Sequence, residues 1–369
     1  MRIGLDARFF GPQGKGIGRY TEKLIESLEK LDQNNEYFIF LTKVGFDLYE
    51  PKNKNFHKVL ANYPWYSFKE QLLLPRLLNQ YHLDLMHFLH FNKPLLYKGK
   101  YVVTIHDLTH LKYDPYASTR SPWQYLIKYL LYRLVSKAAI KRAIRIITVS
   151  EFVKNEIIKH YKINSNKIFV TYESTFTPAE MLKMENKFQL PAKDSYLLYV
   201  GNAYPHKNLE KLVRAFALAP IEQEIILIFV GKIDYFYERL QKLVEELHLT
   251  NRVMFAGAVS DENLKSLYQN AIAYVFPSLM EGFGLPGLEA MANDCPVIAS
   301  RAGSLPEIYG PAAIYFDPNN EKEISEIIKK IVEDENLRAE IKKLGQERVK
   351  KYSWDKCAEQ TFDIYRSLG

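Results

Sequence analysis

Short apolar runs and amphipathic stretches alternate along nearly the whole chain, and the same order of elements occurs twice. RIGLDARFF at 2–10 predicts a strand, GPQGKGIGRY a glycine-rich loop, and TEKLIESLEKL a helix. EYFIFLTK (36–43) predicts a second strand, and FKEQLLLPRLLNQY a short helix before the strand DLMHFLH. KYVVTIHDLTHL is another apolar strand, with His106 and Asp107 at its end. WQYLIKYLLYRLVSKAAIKRAIRIITVSEF reads as a long basic, aromatic helix running into a strand and Ser150. Its spacing puts Leu126, Leu130 and Leu134 on one face and Lys128, Arg133, Lys137 and Lys141 on the other, which predicts a core helix with one wet face. KIFVTYESTF (167–176) is the last strand of the first half, and the polar stretch TPAEMLKMENKFQLPAKDSY marks the domain boundary.

The grammar then restarts. YLLYVG (196–201) predicts a strand, NAYPHKN a loop, and LEKLVRAFAL a helix with Asn208 as its N-cap. EIILIFVG and RVMFAGAV are strands separated by the helix FYERLQKLVEEL. AIAYVFPS is a short buried strand leading to a helix that starts near Pro286. A charged helix near 336–350 and an amphipathic YSWDKCAEQTFDIYRSL follow. Strand, loop and helix repeated in this way predict an α/β chain with two doubly wound, Rossmann-like domains across a central cleft.

Composition narrows the class. A chain of 369 residues with 47% hydrophobic positions supplies two cores. Cys295 and Cys357 are the only cysteines and are expected as reduced, packed thiols. The N-terminal run has a strand's alternation and not a signal peptide's apolar core. No apolar segment approaches the ~20 residues of a membrane span, so a soluble chain is expected. A net charge of +7 points to anionic partners: a nucleotide sugar, a lipid phosphate or a membrane face. No zinc-finger or comparable nucleic-acid motif accompanies it. The basic helix, with its Trp and Tyr, also suits an anionic lipid surface.

The chemistry concentrates in Phe276 to Ala292, FPSLMEGFGLPGLEAMA. Gly282, Gly284 and Gly287 are expected to leave backbone N–H groups uncovered where a helix begins, and helix N-termini carry about half a positive charge, suited to a phosphate. Glu281 and Glu289 bracket this loop, and carboxylates accept from hydroxyl donors such as those of ribose and sugars. Lys207, in G-N-A-Y-P-H-K-N, follows the first strand of the second half, where its ammonium could neutralise a leaving diphosphate. Glycines at 11, 14, 16 and 18 do not make G-x-G-x-x-G, which counts against a dinucleotide cofactor. No Asp-x-Asp tripeptide occurs, so no metal requirement is expected.

E-G-F-G-L-P-G-L-E, a Glu-x7-Glu pattern preceded by F-P-S, resembles the signature of the retaining family 4 glycosyltransferases (glycosyl transferases group 1), which use the two-domain GT-B fold. The similarity covers essentially the whole chain and implies an N-terminal acceptor-binding domain at 1–185, a nucleotide-sugar domain at 186–351, and a helix at 352–369 crossing back to the first domain. By this resemblance Glu289 accepts the ribose hydroxyls and Glu281 a hydroxyl of the donor sugar, while Gly282 and the amides of Phe283, Gly284 and Leu285 hold sugar and phosphate. Gly201, Asn202, His206 and Lys207 line the donor diphosphate, Gly257 to Val259 read the base through the backbone, and His106 stands beside the transferred sugar. G-I-G-R-Y, with Gly16, Gly18 and Arg19, is similar to the family's N-terminal loop over the donor diphosphate. His106, Lys207 and Glu281 are the implied catalytic residues.

The chain departs from the family pattern twice. His206 replaces the usual Arg, a loss that Arg19 could compensate, and Glu173-Ser174-Thr175 replaces a Pro-x-Gly turn. T-I-H-D-L, E-Q-L-L-L-P and S-L-P-E-I suggest the mannosyltransferase-like branch. The implied reaction is sugar transfer with retained configuration from a nucleoside-diphosphate sugar to a glycan or lipid-linked acceptor, without metal or nucleic acid. It would take place in the cytoplasm, with peripheral contact at the inner membrane face left open. Same-face attack, with the leaving phosphate taking the acceptor proton, is the family's usual account. Asp107 is a candidate nucleophile by adjacency alone. A nucleotide-sugar epimerase, a phosphorylase and a non-catalytic nucleotide-sugar-binding subunit are the competing readings.

Overall fold

The structure is a computed structural model that describes residues 1–11, 14–111, 122–175, 195–221 and 224–369, leaving out the side chains of Lys15, His110 and 122–128. The expected boundary stretch (177–196) up to residue 194, the Leu126 and Lys128 side chains, and the 185/186 division lie outside the described residues. Two compact units emerge: Met1–Leu111, the described part of Tyr116–Glu173 and Ser353–Gly369 form one, and the described part of Ser174–Tyr352 the other.

In the first unit, strands β1 (Arg2–Asp6), β2 (Glu36–Leu41), β3 (Phe56–Leu60), β4 (Leu85–Phe88), β5 (Tyr101–Ile105), β6 (Arg145–Thr148) and β7 (Ile168–Val170) form one sheet. Their order is β3-β2-β1-β4-β5-β6-β7, and every neighbour pair is parallel. Helices α1 (Lys15–Leu31), α2 (Lys43–Leu48), α3 (Phe68–Gln80), α4 (Pro122–Arg142) and α5 (Glu151–Tyr161) connect them. The second unit holds β8 (Tyr196–Val200), β9 (Ile226–Val230), β10 (Val253–Gly257), β11 (Ala273–Phe276), β12 (Val297–Ser300) and β13 (Ala313–Phe316), ordered β10-β9-β8-β11-β12-β13 and again parallel. Its helices are α6 (Leu209–Leu218), α7 (Tyr235–Glu246), α8 (Asp261–Asn270), α9 (Leu285–Ala292), α10 (Leu305–Tyr309), α11 (Glu321–Glu333) and α12 (Glu335–Val349). A parallel strand covered on both faces must be apolar throughout, which is why YVVTI and AYVF are wholly buried.

The last helix, α13 (Trp354–Arg366), belongs to the first unit. Ser353 caps it by accepting from the Lys356 amide at 3.4 Å. Its stripe of Trp354, Cys357, Ala358, Ile364 and Tyr365 shares one core with Tyr20, Leu24 and Leu28 of α1. Ser27 Oγ of α1 also donates to Asp355 at 3.0 Å. Each large apolar side chain fully buried there is worth about 1.5–3 kcal/mol, so the stripe fixes the helix to this unit. Cys295 and Cys357 are buried free thiols.

Three local expectations change. Helix α1 begins at Lys15 with Gly14 as its N-cap, so Gly16, Gly18 and Arg19 lie in its first turns and not in a loop. Asn208 stands at the start of α6 in a left-handed conformation (φ 60°), and its side chain makes no cap bond. On α4 the expected core face is exposed, with Leu130 and Leu134 at 49% and 58%, while Arg133, Lys137 and Lys141 are exposed as expected and the buried positions are Ser136, Ala139 and Ile140. At 3.6 residues per turn Leu130, Leu134, Arg133, Lys137 and Lys141 share one side of the helix, so the two expected faces are a single outward one.

Candidate active site

In an open parallel sheet, ligands bind beyond the carboxyl ends of the strands where the strand order reverses. In the second unit that point lies between β8 and β11. The β8 loop contains a single tight turn, Pro205–Lys207, followed by Asn208. Asn208 Nδ2 donates to the carbonyls of Pro277 (3.2 Å) and Pro318 (2.7 Å), and the Leu279 amide donates to the His206 carbonyl at 2.7 Å. The β8 and β11 loops are thereby stitched together. The result is an ion pair between residues far apart in sequence: Lys207 Nζ donates to Glu281 Oε1 at 2.6 Å, with side chains 15% and 13% exposed. The ammonium also stands 5.6 Å from the Phe276 ring centroid.

Glu281 is held from behind. Ser304 Oγ donates to the carbonyls of Glu281 (3.2 Å) and Phe283 (3.1 Å), and Ser300 Oγ donates to the Ser278 carbonyl at 2.5 Å. Gly284 caps α9 at φ 98°, a conformation that favours glycine. The sequence reading gave Gly284 and Gly287 the task of baring amides, but packing is what requires them. Tyr309 Oη donates to the Gly284 carbonyl at 2.5 Å, and a Cβ on either glycine would run into that hydroxyl. Among the described residues, no loop carbonyl accepts from the amides of Gly284 and Leu285. Gly282, Phe283 and Glu289 are buried in the same loop and helix, and Pro286 occupies the first helical turn.

Other expected donor residues lie along the same sheet edge. The Asn202 carbonyl accepts from Tyr199 Oη at 2.7 Å, and the Gly201 carbonyl from Tyr237 Oη at 2.8 Å. Gly257 (φ 69°) ends β10, and its carbonyl accepts from the Gly231 amide at 2.9 Å. Gly257 and Val259 therefore follow the edge strand, with β9 between them and the Lys207 loop.

His106, Gly16, Gly18 and Arg19 belong to the first unit. A Cβ on Gly18 would meet the Gly11 and Phe9 carbonyls, so close packing demands that glycine, whereas Gly16 faces open space. Arg19 is half-buried on α1. His106 follows β5, and both its ring nitrogens face acceptors: Nδ1 lies 2.9 Å from Glu173 Oε1 and Nε2 lies 2.9 Å from the Leu89 carbonyl. A carbonyl can only accept and a carboxylate oxygen is an acceptor, so this pairing of both ring nitrogens favours the protonated ring. Burial pushes the His106 pKa down, but the Glu173 hydrogen bond and charge, the Leu89 carbonyl and Asp107 outweigh it, and the net shift is upward. With both nitrogens engaged, neither is free to act as a general base, and the upward shift favours the charged form.

Behind it, Tyr20 packs edge-on at 4.6 Å and bonds Thr104 at 3.2 Å. Thr104 meets His87 Nε2 at 2.8 Å, and His87 Nδ1 meets Tyr365 Oη of α13 at 2.5 Å. Burial, helped by the His106 charge, lowers the His87 pKa to about 3, so His87 is neutral.

Glu173 was noticed in the sequence only as a departure from the expected turn. The signal for its role was topological: β5, β6 and β7 are parallel neighbours, so the residues after β5 and β7 emerge at one edge. Tyr309, which braces the α9 loop, left no mark in the sequence.

Comparison with known proteins agrees with this layout. Residues 14–173 match the family model Glycosyltransferase Family 4, and residues 180–348 match Glycosyl transferases group 1. The chain is 32% identical over 378 residues to the O-antigen chain mannosyltransferase B of Escherichia coli, covering 96% of each. Among solved structures, sucrose-phosphate synthase from Thermosynechococcus elongatus superposes with a TM-score of 0.76 at 24% identity, covering 100% of this chain and 99% of that one. HepE of Anabaena, solved with UDP and glucose, gives 0.73 at 19% identity and 99% coverage of both. At these identities the solved structures establish the GT-B fold, and the E. coli relative establishes the family. The chain belongs to glycosyltransferase family 4, a sugar-transferring enzyme whose second half is the group 1 glycosyl transferase module.

Proposed function

We propose that this glycosyltransferase moves a mannosyl group from a nucleoside-diphosphate mannose to a hydroxyl of a growing O-antigen-type glycan, retaining the anomeric configuration and needing no metal. The observation that carries the reading is the Lys207–Glu281 pair at the sheet's reversal point, with Glu281 in the loop that leads into α9. The mannosyl assignment leans on the E. coli relative, whose name gives it that activity. HepE, bound to UDP and glucose on the same fold, supports a nucleotide-sugar donor.

In this mechanism the bond from the anomeric carbon to the phosphate oxygen breaks, and its electron pair goes to the diphosphate. Lys207 and the α9 amides take up that charge. The acceptor oxygen forms the new bond on the same face and gives its proton to the departing phosphate oxygen. Glu281 accepts from a hydroxyl of the transferred sugar and Glu289 from the ribose. His106, whose protonated form Glu173 favours, supplies positive charge when protonated. The absence of an Asp-x-Asp tripeptide supports metal independence.

A thermal-shift screen over nucleoside diphosphates and their sugars, followed by transfer to a lipid-linked glycan, tests the reading. Stabilisation by one nucleotide-mannose, an α-linked product from an α-linked donor, and activity that survives EDTA are expected. Inversion of the linkage, a trapped glycosyl-enzyme, or loss in EDTA reversed by Mg²⁺ would each overturn the corresponding part.

A further inference from the structure

We propose that the rings of Phe9, Trp65 and His90 form a shelf on which a pyranose of the acceptor glycan stacks, and that buried Glu70 is the positioning residue that sets the shelf. The first sheet reverses its strand order between β1 and β4, and beyond the carboxyl ends of the strands at such a point an open parallel sheet takes its ligands. Phe9 follows β1 and His90 follows β4. Phe9 lies flat on Trp65, with ring centroids 4.4 Å and planes 9° apart, and its centroid is 5.0 Å from that of His90. His90 stands nearly parallel to His106 at 6.5 Å, so the rings lead up to the histidine of the proposed mechanism. All three are half-buried, and an aromatic face suits the C–H face of a sugar ring.

A buried charge network holds the shelf. Arg8, the neighbour of Phe9, donates to both Asp6 oxygens at 2.7 and 2.8 Å and pairs with Glu70 at 2.7 Å. Glu70 in turn accepts from the amide of Tyr66, the neighbour of Trp65, at 2.7 Å, and from Asn92 Nδ2, two residues after His90, at 2.8 Å. One carboxylate therefore ties together the three segments that carry the three rings. The Arg8 and Glu70 side chains are both 0% exposed. Burying ion pairs is a poor route to stability, because apolar side chains of similar volume serve as well or better, so the network is explained by the geometry it imposes. The motif E-Q-L-L-L-P, which the sequence offered only as a mark of the mannosyltransferase-like branch, thereby acquires a physical role, since its Glu is this tie. The inference rests on the proposed function only in taking the acceptor to be a glycan, and it is independent of the donor sugar, the metal question and the stereochemistry.

Ligand-observed NMR titration of the full chain with soluble α-linked disaccharides of mannose, glucose, galactose and N-acetylglucosamine, alongside isothermal titration with a nucleoside diphosphate, tests it. Wild type is expected to bind at least one disaccharide. Trp65→Leu keeps an apolar surface but loses the planar face, and should weaken that disaccharide by roughly tenfold, whereas Trp65→Phe should stay within about threefold of wild type. Glu70→Gln should weaken it by roughly fivefold by loosening the shelf, and nucleoside diphosphate affinity should be unchanged in every variant. If Glu70→Gln is too unstable to titrate, Asn92→Ala, which cuts only the tie to the segment after β4, gives the same test. Wild type that binds no disaccharide, or Trp65→Leu that binds as Trp65→Phe does, would overturn the shelf. Glu70→Gln with wild-type disaccharide affinity, or with disaccharide and nucleoside diphosphate weakened alike, would overturn the positioning role. Disaccharide binding with the expected ratios but no nucleoside diphosphate binding would support the shelf while overturning the donor reading of the second unit, so the two fail separately.

Discussion

Because the Lys207 ammonium is held by Glu281, removing the two residues should have opposite effects on diphosphate binding. Breaking a fully buried ion pair by deleting one member costs about 3–5 kcal/mol. Here 15% and 13% of the side chains still meet water, so Lys207→Ala should cost about 1–2 kcal/mol of stability in the second unit. Its catalytic effect should be larger, since loss of one preorganised charge at a developing anion lowers kcat by roughly 10²–10³. Glu281→Gln keeps the shape and frees the ammonium from a competing anion. A pair still partly open to water is worth about 1 kcal/mol net, so a free nucleoside diphosphate should bind roughly fivefold tighter to Glu281→Gln while sugar transfer falls. Isothermal titration of the nucleoside diphosphate into wild type, both single variants and the double variant, with turnover measured in parallel, separates these effects. Lys207→Ala with unaltered diphosphate affinity, or Glu281→Gln that weakens binding as much as Lys207→Ala, would refute the competition.

Glu173→Gln should remove the charge that keeps the His106 ring protonated, so the alkaline limb of the pH–rate profile should move to lower pH; an unmoved limb would exclude the imidazolium as the working form. The sign for stability agrees: a raised folded pKa stabilises fully below the unfolded value of ~6.5 and is lost as pH rises through the folded value. His87 behaves in the opposite way, because its folded pKa of about 3 makes stability fall as pH drops below ~6.5. Comparing His87→Gln with wild type between pH ~6.5 and ~5 by chemical denaturation of the first unit should show wild type losing about 2 kcal/mol more. Gly287→Ala should lower the melting temperature through collision with the Tyr309 hydroxyl, and Tyr309→Phe should recover part of the loss; additive effects would show that the hydroxyl is not the obstacle.

Much of this was legible because a parallel sheet converts sequence order into place. An apolar run ending in a polar loop sets that loop at the carboxyl edge, which is how Lys207 and Glu281 could be paired as anchors before any distance was known. The polar pattern of β3, FHKVL, hid an edge strand whose His57 and Leu60 are exposed, and β12 and β13 were not read as strands although they are as long as β11. Through-space partners were illegible: Glu173 and Tyr309 act on residues tens of positions away, with no local periodicity to mark them. The leucines of α4 failed for a different reason, since at 3.6 residues per turn they share one side of the helix with Arg133, Lys137 and Lys141, and the small Ser136 and Ala139 with Ile140 make the buried side.

Threading of α13 back into the first unit has a consequence for synthesis. The Tyr20, Leu24 and Leu28 stripe stays uncapped while Ser174–Tyr352 is being made, because its covering residues follow that segment. At ~5–20 residues per second, the nascent chain carries that open seam for roughly 10–40 s after Glu173 is joined. The unit translated first is therefore the one completed last, and the ribosome-bound chain would be expected to recruit holdase chaperones to the α1 face during that interval.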